Sequence, residues 1–188
     1  MLIPLRLSAQ TDEQLMRRAA RGNDRAFEEL YNRHARRLQG FFSRRLGDDA
    51  DLAADLMHDT FLRLYAARAT YREGQSFRAW LYTIAYNLCK NHLRNQLAFV
   101  PESATVLDGL SVEPPDLNLD AAILRDALRD VLKRLPEPYA MLFSLHYEEE
   151  LTVPQIAAIT TLPEGTVTSR LHKAMTIIKQ SLKQYENN

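Results

Sequence analysis

Helical periodicity runs through most of this 188-residue chain and fails over one long stretch, between Ala98 and Leu119. The segment FVPESATVLDGLSVEPPDLNLD, residues 99–120, holds three prolines, one glycine and five acidic residues, with no lysine or arginine. Proline fixes φ and removes a backbone donor, so this composition reads as an extended acidic linker. The linker divides the chain. A loose tail (1–10) precedes a first helical domain (11–97), and the linker (98–118) leads to a second (119–188). Each domain has about 70 residues or more, enough to bury a core of its own. The predicted fold class is all-α: two small helical domains joined by the linker.

The second domain contains the most informative local pattern, Leu151 to Met175, LTVPQIAAITTLPEGTVTSRLHKAM. Thr152 followed three residues later by Gln155 is a capping box, and Pro154 falls in the first turn, where its missing N–H costs nothing. A short helix opens there. Thr160, Thr161, Leu162 and Pro163 interrupt it, because threonine is a poor helix former and the residue before a proline avoids helical angles. A second helix starts near Pro163 and Glu164, its carboxylate at the positive helix end. Val167, Leu171, Ala174 and Ile178 recur at helical spacing and are expected to face inward. Thr166, Thr168, Ser169, Arg170, His172 and Lys173 are left on the other faces. Two short helices and a tight turn match a helix-turn-helix, whose second helix enters the major groove.

Equal numbers of basic and acidic residues, 24 each, give zero net charge, which at first argues against nucleic-acid binding. That zero is an average. Residues 1–97 carry +5, residues 98–120 carry −5, and residues 121–188 balance. From Thr166 onward, Arg170, Lys173, Lys179 and Lys183 face only Glu186. Phosphate neutralisation needs such a local patch rather than a basic whole.

In the first domain, Thr11 to Gln14 is a second capping-box start, and the helix it opens stops at Gly22. Asn23 or Asp24 caps a longer helix with an apolar stripe through Ala26, Phe27, Leu30, Tyr31, His34, Leu38, Phe41, Phe42 and Leu46. Arg33, Arg36, Arg37, Arg44 and Arg45 lie mostly off it and read as a solvated face. Asp48, Asp49 and Asp51 begin a third helix, with Leu52, Leu56, Phe61, Leu62 and Leu64 or Tyr65 on its core side. Asp55, His58, Asp59 and Arg63 share roughly one exposed face. Three of these carry metal-ligand chemistry, but one exposed helix rarely supplies convergent ligands and their supporting hydrogen bonds. A docking face for a basic partner fits better, and no metal is expected.

After a loop, ATYREGQS (69–76), Ser76 caps a fourth helix. Phe77, Leu81, Ile84 and Leu88 form its inward stripe, while Arg78, Tyr82, Asn87, Lys90, Asn91 and Arg94 lie around the other faces. Aromatic, amide and basic side chains suit unstacked bases and backbone phosphates. Trp80 reads as a packed side chain. In the second domain, AAILRDALRDVLKRL places Leu124, Leu128, Val131 and Leu135 inward up to Pro136, and PYAMLFSLHYEEE is expected to pack against it.

Several chemistries lack any signal. The chain has no glycine-rich phosphate loop, no H-E-x-x-H and no cysteine pair at metal spacing, so neither catalysis nor a cofactor is expected. The single cysteine, Cys89, excludes an intrachain disulfide and reads as a small hydrophobe. A reducing cytoplasm fits. No run of 18 apolar residues is present, so no membrane span is expected, and the opening residues lack a cleavage signature.

Four blocks together resemble the bacterial sigma factors of the extracytoplasmic-function (ECF) type, the two-domain promoter-recognition subunits of RNA polymerase. They are GNDRAFEELY (22–31), DLAADLMHDTFL (51–62), FRAWLYTIAYNL (77–88) and PEGTVTSRLHKA (163–174), in that order and divided by an acidic linker. The resemblance implies that Asp55, His58, Asp59 and Phe61 dock on core RNA polymerase. His58 stands where the family usually has glutamine, which makes that contact a candidate for pH sensitivity. It further implies that Tyr71, Arg72, Gly74, Gln75 and Ser76 form a loop that captures a flipped base of the minus-ten element. Arg78, Asn87, Lys90, Asn91 and Arg94 would then follow the opened strand or adjoining duplex. Thr83 and Ile84 lie where primary sigma factors carry a tryptophan pair, so weaker melting and stricter promoter choice are expected.

By the same resemblance the 164–175 helix reads the minus-thirty-five element. Thr168, Ser169 and His172 would reach base edges, Arg170 and Lys173 phosphates, and Thr166 borders them. Thr161 and Thr168 replace the glycine and lysine that the family often has, so base preference does not transfer. The linker would thread toward the polymerase channels, and an anti-sigma protein is the usual partner of such a monomer. Two alternatives remain at this point. One is a dimeric helix-turn-helix regulator whose first domain senses or dimerises; the other is a sigma-like decoy that only sequesters an anti-sigma protein.

Overall fold

The computed structural model describes residues 7–47, 49–96 and 121–186. It divides into two compact units, Met1–Ala98 and Phe99–Asn188. The linker 98–118, tail residues 1–6 and the Leu124 side chain lie outside the described residues.

Among the described residues, the first unit holds four α-helices, α1 (Asp12–Ala20), α2 (Asp24–Arg45), α3 (Ala50–Ala66) and α4 (Phe77–Gln96). Their starts are those the capping residues dictate. The Thr11 hydroxyl and the Gln14 side chain close a reciprocal capping box on α1. Asn23 caps α2 by accepting the Ala26 N–H at 3.1 Å, and Asp49 caps α3 by accepting that of Leu52 at 3.0 Å. Gly22, at φ 88°, takes the left-handed angle that turns the chain from α1 into α2.

The core of this unit is built from Leu15 and Met16 of α1, Leu30, Leu38, Phe41 and Phe42 of α2, Leu64 of α3, and Phe77, Leu81 and Tyr82 of α4, all at most 1% exposed. A fully buried side chain of this kind contributes roughly 1.5–3 kcal/mol relative to an exposed one. Tyr82, expected on an outer face, is instead buried with its ring edge-on to Phe41 at 5.5 Å. Ile84, expected inward, is only half-buried, because the α4 stripe turns through Leu81, Ala85 and Leu88.

Arg33 overturns the solvated-face reading at its position. Its Nε donates to Glu29, its Nη1 to the Gln10 carbonyl and Asp12, and its Nη2 to the carbonyls of Leu7 and Ser8, at 2.8–3.2 Å. All five guanidinium N–H groups are used, and they pin the segment before α1 onto α2.

The second unit contains α5 (Ala121–Arg134), α6 (Glu137–Phe143), α7 (Val153–Thr160) and α8 (Glu164–Glu186). α6 runs into a π-helical turn, Ser144–Glu148, that the sequence pattern did not signal. α8 is the central strut. Its Ala174, Ile178 and Leu182 share one core with Ala127 and Val131 of α5, Leu135 just beyond it and Ala140 of α6, so α6 packs on α8, which stands between it and the expected direct packing on α5.

Candidate functional site

The helix-turn-helix consists of α7, a three-residue turn and the first half of α8. Thr152 and Gln155 close the expected capping box. α7 ends at Thr160, whose hydroxyl donates to the Ile156 carbonyl at 2.7 Å. Thr161 then takes φ 60° and ψ 22°, the left-handed conformation that reverses the chain. The Pro163 carbonyl accepts the N–H groups of Thr166 and Val167 as α8 begins. Val167, Leu171, Ala174 and Ile178 are buried, as their spacing requires. Thr168, Ser169 and His172 are consequently exposed, while Thr166, Arg170 and Lys173 are half-buried beside them. The Thr168 hydroxyl donates to the Glu164 carbonyl at 3.0 Å, leaving its lone pairs outward as acceptors.

The loop before α4 is a compact turn held from within. The Tyr71 hydroxyl donates to the Gln75 carbonyl at 2.5 Å, and the Gln75 N–H donates to the Arg72 carbonyl at 3.2 Å. Gly74 turns at φ 84°, where a side chain would be strained. Ser76 Oγ accepts the Ala79 N–H at 3.3 Å and caps α4, as expected. Tyr71 and Trp80 pack with ring centroids 5.4 Å apart, so Trp80 serves as the floor of the loop, in keeping with its reading as a packed side chain. Burial, with the Glu13 carboxylate adding to it, pushes the Tyr71 phenol up to about 12. Arg72 and Gly74 remain exposed.

Along α4, Asn87, Lys90, Asn91 and Arg94 are all exposed and fall at i, i+3, i+4 and i+7, which makes one continuous amide and basic stripe. Arg78 is half-buried near the start of the same helix. A groove that tracks nucleic acid needs such a row of donors beside aromatic surface.

On α3, Asp55 and His58 are exposed and Asp59 half-exposed. Asp59 pairs with Arg63 at 3.0 Å, and His58 Nε2 lies 3.1 Å from the Tyr31 hydroxyl, with the two rings stacked. Phe61 does not share this face. It is 3% exposed and packs on Tyr31 at 4.8 Å and on Phe27 at 6.2 Å, so it acts from the core. Leu62, expected on the core side, is 68% exposed in its place. The inward line of α3 runs through Ala53, Met57, Thr60, Phe61 and Leu64, and Leu62 falls off it; counting that spacing from Met57 would have found the difference. Among the described residues no three His, Cys, Asp or Glu side chains gather into a metal site. No helix of the described residues is long and apolar enough to cross a membrane.

Two family models match the chain: Sigma-70 region 2 over residues 30–98 and Sigma-70, region 4 over residues 125–178. The chain is 31% identical to the RNA polymerase sigma-H factor of Pseudomonas aeruginosa, over 94% of this chain and 96% of that protein. It is also 31% identical to the ECF RNA polymerase sigma-E factor of Escherichia coli, over 87% and 90%. Among solved structures it resembles CnrH in complex with the cytosolic domain of CnrY, with a TM-score of 0.68 at 25% identity, covering 92% of this chain and 97% of that one. A fold likeness with a TM-score of 0.62 extends to the sigma factor RpoE of Bartonella quintana, bound to the anti-sigma factor NepR. With region 2 and region 4 matched in order and full-length relatives above 30% identity, the chain belongs to the ECF family of sigma factors, DNA-binding and non-enzymatic proteins of transcription initiation.

Proposed function

We propose that this protein binds core RNA polymerase, recognises a two-part promoter and assists its opening without bond chemistry. One observation carries the reading: each unit presents its own outward polar surface suited to nucleic acid. The first offers the Tyr71–Ser76 loop and the Asn87, Lys90, Asn91, Arg94 stripe; the second offers Thr168, Ser169 and His172 on α8. The two chemistries differ. A loop floored by aromatic packing suits a flipped base, whose unstacking costs a few kcal/mol that a pocket must offset. An exposed helix face of small polar side chains suits duplex base edges.

In this reading Asp55, His58 and Asp59, with Leu62 beside them, form the polymerase-docking face on α3. The acidic linker threads toward the polymerase channels. Because CnrH and RpoE are each found with a bound partner, the latter with an anti-sigma factor, an anti-sigma protein is proposed here too. A cytoplasmic monomer fits that arrangement.

Run-off transcription with purified core enzyme on candidate promoters tests this. A promoter-dependent product that requires the protein is expected. Its absence, with core enzyme shown active by another sigma factor, would point to a decoy; a dimer that binds duplex tightly by itself would point to a separate regulator.

A further inference from the structure

None of the residues assigned above to DNA lies on α1, yet this helix holds the minus-ten loop at two points. Glu13 Oε1 accepts the Phe77 N–H at 3.3 Å, one of the donors that the start of a helix leaves without an intrahelical partner. Arg17, four residues on and therefore on the same side of α1, pairs with Glu73. The loop's own bonds, from Tyr71 to Gln75 and from Gln75 to Arg72, set its internal shape. The two α1 contacts set how that shape is presented by the rest of the unit. Glu73 matters in a second way. It is the only acidic residue between Tyr71 and Ser76, its side chain is 81% exposed, and without a cation beside it an approaching phosphate would be repelled.

We propose that Glu13 and Arg17 are positioning residues for minus-ten readout: gripping the loop at its middle and its exit, they decide which base it accepts without touching DNA. The inference rests on the sigma reading above. It assigns to α1 a part in specificity rather than in packing alone.

The test compares wild type, E13A, E13Q, R17A, R17E and the charge swap R17E/E73R as holoenzymes with core polymerase. Promoter opening is measured on templates carrying each base in turn at the captured minus-ten position, with core affinity and thermal unfolding followed in parallel. E13A and R17A are expected to lower the ratio of best to next-best base about fivefold, the size of one hydrogen bond's net contribution. E13Q, whose amide oxygen still accepts, should keep the ratio. R17E/E73R should recover what R17E loses. A loss spread evenly over all bases, or an unmoved ratio, overturns the inference, because a structural role alone would produce it. Where E13A unfolds, the swap decides: recovered selectivity supports the proposal and unrecovered selectivity overturns it. If wild type itself gives no promoter-dependent product, the sigma reading falls, and this inference with it. A normal wild type with an unmoved ratio overturns this inference alone.

Discussion

Arg33 Nη1 donates to Asp12 Oδ1 at 3.0 Å, across the packed faces of α2 and α1. The same guanidinium reaches three backbone carbonyls ahead of α1, so one side chain anchors the start of the described chain. R33A is expected to destabilise the first unit by about 2 kcal/mol, since several charge-assisted bonds are lost from a half-buried site. R33K should recover only part of this, because an ammonium has three donors and no planar fork. Urea unfolding measures both.

Asp12 links that anchor to pH. Its other oxygen accepts from His34 Nε2 at 2.7 Å, and this bond is the largest influence holding the carboxyl below its ordinary 3.8; partial burial opposes it and Arg33 assists. A carboxyl with a lowered folded value adds stability above the unfolded value and loses it as pH falls through the folded one. Thermal unfolding of the wild type should therefore steepen below 3.8, and D12N should flatten that acid limb while lowering stability at neutral pH.

Tyr71 predicts the opposite limb. Its phenol is raised to about 12, chiefly by burial, so the stability tied to its protonated form is complete below 10.0 and lost as pH rises through about 12. Y71F should flatten the alkaline limb of the stability curve. It should also cost about 1 kcal/mol at neutral pH, through the hydroxyl bond to the Gln75 carbonyl.

Thr161 occupies left-handed space at φ 60°, where a β-branched side chain is strained. T161G should stabilise the second unit by roughly 0.5–1 kcal/mol, the relief of strain outweighing the greater freedom of glycine in the unfolded chain. The midpoint of urea unfolding is the measurement. An unchanged or lower midpoint would mean that the Thr161 hydroxyl bond to the Thr160 carbonyl, at 2.6 Å, matters more than the strain.

His58 is exposed between acidic neighbours on α3 and stacked on Tyr31 of α2. The Tyr31 hydroxyl, 3.1 Å from Nε2, holds the imidazole on the face proposed to dock on core polymerase. H58A should therefore weaken core affinity by roughly threefold at constant pH, within the net worth of one hydrogen bond, while thermal unfolding stays close to that of the wild type. An unchanged affinity would remove His58 from the docking face.

Much of this protein could be read from local chemistry. The capping residues Thr11, Asn23, Asp49, Ser76 and Thr152 each accept a backbone N–H three positions on, so the sequence placed those helix starts to within a residue, with the choice of Asn23 over Asp24 and of Asp49 as the cap left to the structure. The period of Val167, Leu171, Ala174 and Ile178 likewise determined the outward face of α8, because a helix with one buried stripe leaves no other choice. What depended on a partner at long sequence distance could not be read. Arg33 belonged to the structure because its acceptors lie 21 to 26 residues away, except for Glu29. Tyr82 was drawn inward by Phe41, whereas Phe61, which its spacing already put on the core side, meets Phe27 and Tyr31 there, and Leu62 simply falls off the inward period of α3. The grip of Glu13 and Arg17 on the loop more than fifty residues downstream has the same origin. Periodicity assigns a side chain to a face, but only the packed neighbour decides whether that face is core, floor or surface.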